Sequence, residues 1–160
     1  MIYQTSLSLE ELKDRLIKTI FLMINLLISF SGYIIGLGAV TVIDTLGFLG
    51  RKSSYWAEAT IRAHKVTKPL IWLGIFLVIC GASLLKLPLY FYYIYLALVL
   101  NGLFLSFYVS PYLLKMEQKG KQKELLPISM QSKIAISFVV SFIGWWGSLI
   151  LFLNNFINLK

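Results

Sequence analysis

Histidine and cysteine occur once each in this 160-residue chain, and acidic residues only seven times. Each shortage excludes something. The single cysteine, Cys80, can form no intrachain disulfide. It lies in an apolar run, where a thiol ionises poorly, so it is not read as a nucleophile. The single histidine, His64, rules out bis-histidine haem within one chain. The redox alternative is haem b held by His64, with Met116 or Met130 as the second axial ligand. No glycine-rich nucleotide loop, paired catalytic carboxylates or metal-ligand cluster is present. These absences lead to the expectation of a non-enzymatic protein with no metal and no catalytic residue.

What the chain has instead is apolar surface. Hydrophobic residues make up 58% and charged residues 14%, against roughly 45–50% and about 25% in soluble domains. Water could not solvate such a surface, so the expected partner is the lipid bilayer. The +8 net charge would suit nucleic acid, but nearly all of it falls in two loops between long apolar runs. It is read as a topology signal, not as a nucleic-acid site.

A helix needs about 20 apolar residues to cross the hydrocarbon core. Four stretches meet that length, at about 19–49, 69–85, 87–114 and 134–157. They predict one all-α domain over 1–160, a four-transmembrane-helix bundle. Pro69 and Pro88 suit the first turns of the second and third spans. Lys86 alone separates those spans, which predicts a tight antiparallel hairpin.

Orientation follows from Lys and Arg in the short loops. Arg51, Lys52, Arg62, Lys65 and Lys68 join spans one and two, and Lys115, Lys119, Lys121, Lys123 and Lys133 join spans three and four. Lys13, Arg15, Lys18, Lys86 and Lys160 lie on the other side. Ten against five places both long loops in the cytoplasm and both termini outside, in a bacterial inner membrane. The aromatic run Tyr90–Tyr95 then sits at the outer interface, where amphipathic rings are favoured. The N-terminus does not read as a cleavable signal, because no basic region precedes the apolar run. Ser8-x-x-Glu11 forms a capping box, and Leu9, Leu12 and Leu16 share a face, predicting a short interfacial helix. Ser53 or Ser54 starts a second amphipathic helix through about Thr67, with Trp56, Ala59, Ala63 and Val66 on its membrane face. The stretch KMEQKGKQKELLP reads as a solvated connector with a break at Gly120.

Helices in lipid associate through small residues and polar contacts. Asn25, Ser29, Gly32 and Gly36 line one face of span one, and Ser137, Ser141, Gly144 and Ser148 one face of span four. Gly74 and Gly81 mark span two, and Gly102, Ser106 and Ser110 span three. These faces predict a compact bundle and could also join protomers in a homo-oligomer or larger membrane complex. Near mid-membrane lie Tyr33, Asn101, Trp145 and Trp146. Asn101 either fastens the bundle by hydrogen-bonding a Trp or Tyr, or helps form a polar pocket at the midplane.

Asp44 is the sole carboxylate inside a span. Residues 19–50 would make a helix of about 48 Å, longer than a core of about 30 Å. The span therefore tilts, kinks near Gly36-Leu37-Gly38 or projects inward, and Asp44 falls near the inner boundary. Intramembrane ionisable groups are functional candidates. Asp44 either forms an ion pair with Arg62, His64, Lys65 or Lys68, or handles protons or cations.

The segments GLGAVTVID (36–44), IWLG (71–74), LNG (100–102) with Pro111, and Ser141 with Trp145-Trp146 resemble a family of small bacterial four-helix integral membrane proteins with no assigned activity. The resemblance covers roughly positions 30–150. It implies four spans and an inner-membrane location, and no catalytic residue. Some members carry a histidine early in span one, where this chain has Asn25, Ser29 and Ser31. The function expected is a small carrier or an accessory subunit, with Asp44 and Asn101 at its polar sites.

Overall fold

The computed structural model describes residues 9–121 and 123–157. Ser8 of the capping box and Lys160 of the charge count lie outside them. The described chain is helical throughout: α1 (Leu9–Leu49), α2 (Ser54–Leu84), α3 (Leu89–Phe104), a five-residue π turn (Leu105–Val109), α4 (Ser110–Gln118) and α5 (Ile128–Ile157). Because the π turn continues α3 into α4, four helical rods result, each long and apolar enough to cross a membrane.

Two breaks expected from the sequence are bridged. The segment from Leu9 to Lys18 runs into span one without interruption, and α1 continues as helix through Gly36-Leu37-Gly38. Its 41 residues extend about 60 Å. Likewise Ser54–Thr67 and the second span form one helix, with Pro69 inside it and not at its start. Proline removes one donor from the ladder. Burial on both sides of it holds the helix together, from Ala57, Ile61, His64 and Thr67 before to Gly74, Ile75 and Val78 after. The face buried before Pro69 is therefore not the one carrying Trp56, Ala59, Ala63 and Val66. Val66 is 63% exposed, on the opposite side of α2.

The rods close a ring in which α1 packs on α2 and α5, and α3 on α2 and α5. The α1–α2 seam is the tightest. Asn25, Ser29, Gly32 and Gly36 are all buried there, against Gly74, Val78 and Gly81. A Cβ added to Gly74 would stand 2.6 Å from Gly36 Cα, and one on Gly32 would stand 2.8 Å from Leu77 Cβ. Only glycine lets these backbones approach so closely.

The α2–α3 turn spans four residues, with Leu85 N–H on Gly81 O at 2.9 Å and Leu87 N–H on Ala82 O at 3.1 Å. Lys86 closes it at φ 52°. Near this turn lies the main core: Tyr33, Val78, Ala82, Phe91, Tyr95, Leu98, Trp145 and Phe152. At the opposite end of the bundle the core reduces to Ile61, Val109 and Leu113. Gly120, at φ 68°, ends α4.

Candidate functional site

The bundle is open where its core is thin. A cavity of about 310 Å³ lies between α1, α2, the π turn and the first half of α5, within the usual size range of ligand sites. Ile43 and Asp44 enter from α1, Ile61, His64, Lys68 and Trp72 from α2, Ser106 and Val109 from the π turn, and Ser137 and Phe138 from α5. The walls are mainly apolar. A smaller recess, of about 20 Å³, runs deeper and is lined by Asp44, Asn101, Ser141 and Trp145. The two spaces share Ile43, Asp44, Ile71, Gly102 and Leu105, so Asp44 stands where they meet.

Asp44 Oδ2 is buried and has no hydrogen-bond partner, and neither does His64 Nε2. The residues read from the sequence as partners for Asp44 are engaged elsewhere or stop short of it. Arg62 bonds Glu58, one turn back on its own helix. Lys65 crosses to Glu117 of α4 at 2.9 Å. Both leave α2 on faces turned away from α1, whereas His64 and Lys68 face the cavity. Among the described residues, neither Lys68 nor Arg51 has an ion-pair partner, although both line the cavity. A buried carboxylate without a hydrogen bond is costly, so its position invites a ligand, a cation or a proton.

Asn101 is fastened. Its amide donates to Ser141 Oγ at 2.8 Å and to the Ser137 carbonyl at 3.2 Å, and Ser137 Oγ returns a bond to Asn101 Oδ1 at 2.8 Å. Its partners are therefore serines of α5, not a Trp or Tyr. The small serine face brings α5 close enough for a short amide to span the gap. Tyr33 instead meets Tyr95, hydroxyl to hydroxyl at 2.9 Å in the buried core. Trp145 is 1% exposed and packs edge-on to Tyr33 at 6.3 Å between ring centroids. Its ring occupies the space over Gly36. Trp146, one residue on, is 42% exposed and packs with Phe142, outside both the cavity and the recess.

Trp72 and Ser106 belong to the site, although the sequence marked Ser106 only as part of a small packing face and Trp72 only within the IWLG segment. Trp72 Nε1 donates to Ser106 Oγ at 3.0 Å, tying α2 to the π turn. His64, Lys68 and Trp72 recur at four-residue intervals, a stripe that the spacing does carry. For the haem alternative, His64 stands in the cavity wall, while Met116 and Met130 do not line it.

Comparison with known proteins adds no relative: no family model matches the chain, and neither a curated protein nor a solved structure does. What fold and site define is an all-helical bundle with four potential membrane spans and an internal cavity at one end.

Proposed function

We propose that this chain is a non-enzymatic multi-pass carrier of a bacterial cytoplasmic membrane, whose solute site is the cavity at Asp44. The observation carrying the reading is the unpartnered Asp44 carboxylate at the junction of an apolar cavity and a smaller recess that reaches Asn101 and Ser141. A core closes the other half of the bundle. An ionisable group on an internal cavity, with one end sealed, is the arrangement an alternating-access carrier needs in one of its states. With the long loops cytoplasmic, the cavity end faces inward. The first turns of α1, through Lys18, then project past the outer headgroups in line with the span, and the start of α2, through Thr67, does the same at the inner ones. Membership of the small bacterial four-helix family, on the segments quoted above, is part of the same proposal.

Flux tests it. Reconstituted vesicles carrying the protein should show a pH- or ion-dependent solute flux that Asp44→Asn abolishes without lowering thermal stability. A folded protein without flux would make it an accessory subunit, and co-purification of a larger complex would then be the observation to seek. Single cysteines at Ser8 and Lys119, in a Cys80→Ala background, should label from opposite sides with an impermeant reagent. Labelling of both from one side would overturn the orientation.

A second reading rests on His64, whose buried Nε2 is free to ligate. An absorption spectrum of the purified protein separates the two. A Soret band that shifts on reduction and disappears in His64→Ala would replace the carrier with a haem protein.

A further inference from the structure

Charges of both signs line the cavity without neutralising one another. Asp44 and Lys68 are level with each other along the α1–α2 seam. Each step up α1 is a step down α2: Ser29 meets Gly81, Gly32 meets Val78 and Gly36 meets Gly74. Continuing that register sets Asp44 beside the turn from His64 to Lys68. Both Asp44 and Lys68 face the same space, yet no ion pair joins them. Neighbouring basic residues have closed theirs, Arg62 with Glu58 and Lys65 with Glu117. Glu124, also at the cavity, is taken by Lys121.

We propose that the cavity binds a small zwitterion with an apolar skeleton, its cationic group on Asp44 and its anionic group on Lys68 and His64. The inference rests on the cavity being the solute site and names the class of solute. A simple cation would neutralise Asp44 but would sit in a wall that also carries Lys68 and Arg51. A simple anion would meet those bases and leave the Asp44 carboxylate bare. A molecule with both charges satisfies both, and leaving either uncompensated in a poorly solvated site is costly. His64, one turn before Lys68 on the same stripe, supplies a second group for the anionic end through its unpartnered Nε2. Ile61, Ile71, Val109 and Phe138 surround the space with hydrocarbon, which selects an apolar body. A free amino acid with an aliphatic side chain has this chemistry; the phosphoethanolamine head of a lipid has the two charges, with its acyl chains as the apolar body.

Calorimetric titration of the full chain in phosphatidylglycerol nanodiscs tests the proposal with four probes. These are leucine, isoamylamine (leucine without its carboxylate), isocaproate (leucine without its amine) and phosphoethanolamine. Leucine or phosphoethanolamine should bind about tenfold or more tighter than the single-charge probes, the weight of one charge-assisted hydrogen bond. Leucine binding identifies a free zwitterion as the source, and phosphoethanolamine binding alone identifies a lipid head. Asp44→Asn should weaken the zwitterion about tenfold and leave isocaproate unchanged. Lys68→Gln should weaken the zwitterion similarly and leave isoamylamine unchanged. Isoamylamine or isocaproate binding as tightly as the zwitterion would overturn the proposal while leaving the cavity a solute site. Failure of all four to bind would also overturn it, and flux would then judge the carrier reading separately. The four-probe comparison on the unsubstituted protein decides the matter even if a variant does not fold.

Discussion

The two ends of this bundle are built from the same kinds of residue and behave as opposites. Near the α2–α3 turn, polar groups are matched to one another: Tyr33 with Tyr95, and farther along Asn101 with Ser137 and Ser141. Near the long loops, Asp44 Oδ2 and His64 Nε2 are buried without such partners. Gly32, Gly36, Gly74 and Gly81 are pressed against neighbours, whereas a side chain at Gly47, on the cavity wall, would meet nothing. A bilayer offers little hydrophobic force between helices, so close packing and matched hydrogen bonds must hold the sealed end. The open end keeps its cavity because nothing there closes so tightly. Tight packing and cavity are thus divided along the axis of the bundle.

If that division is real, substitutions of similar size should act unequally at the two ends. The largest effect is expected at Trp145. Trp145→Ala should lower stability by about 3–5 kcal/mol, whereas Phe138→Ala, on a wall already beside a void, should cost about 1 kcal/mol or less. Thermal unfolding in detergent measures both, and equal losses would dissolve the contrast. Next is the seam. Gly74→Ala should cost about 1–3 kcal/mol by driving the backbones of α1 and α2 apart. Gly47→Leu should leave stability unchanged or raise it by about 0.5–2 kcal/mol as it fills the cavity, while abolishing solute binding.

Polar groups give a finer test. Asn101→Leu should cost about 0.6–2 kcal/mol, the range for interhelical hydrogen bonds in bilayers. Asp44→Asn has no such bond at Oδ2 to lose and should leave the unfolding midpoint unchanged or higher. A fall equal to that of Asn101→Leu would mean that Asp44 is structural after all. The smallest effect belongs to the turn. Lys86 holds a left-handed conformation, and Lys86→Gly should gain up to about 1 kcal/mol, with no change in solute binding.

Much of the sealed end was legible because its signal is periodic. Small residues at four- and three-residue steps mark a face wherever the partner lies, and Asn25, Ser29, Gly32 and Gly36 are buried as their spacing requires. Adjacent residues are harder. Trp145 and Trp146 share composition and depth, and only the packing of α5 decides that one meets Tyr33 while the other leaves the bundle. Pro69 misled for a related reason. Its local preference is for a first turn, and tertiary burial on both sides overrode it. At the open end, pairing was the obstacle. Arg62 had a competitor, Glu58, within its own helix, and Lys65 had one fifty-two residues away in Glu117. Charge and reach alone could not rank these against Asp44. The cavity is a product of where the packing stops, which no single segment records.

The π turn has a consequence for the history of this helix. A π turn accommodates one residue beyond the α-helical count, so the faces before and after it keep their alignment while the wall between them bulges. Phe107, in that turn, is 77% exposed. A chain lacking Phe107 could wind Leu105–Val109 as ordinary α-helix and still present Gly102 to Trp72 and Leu113 to Ile61. The bulge between them would be gone. Such a one-residue deletion would keep the fold and move Leu105, Ser106 and Val109, which line the cavity, so the wall facing Asp44 depends on a change as small as a single inserted codon.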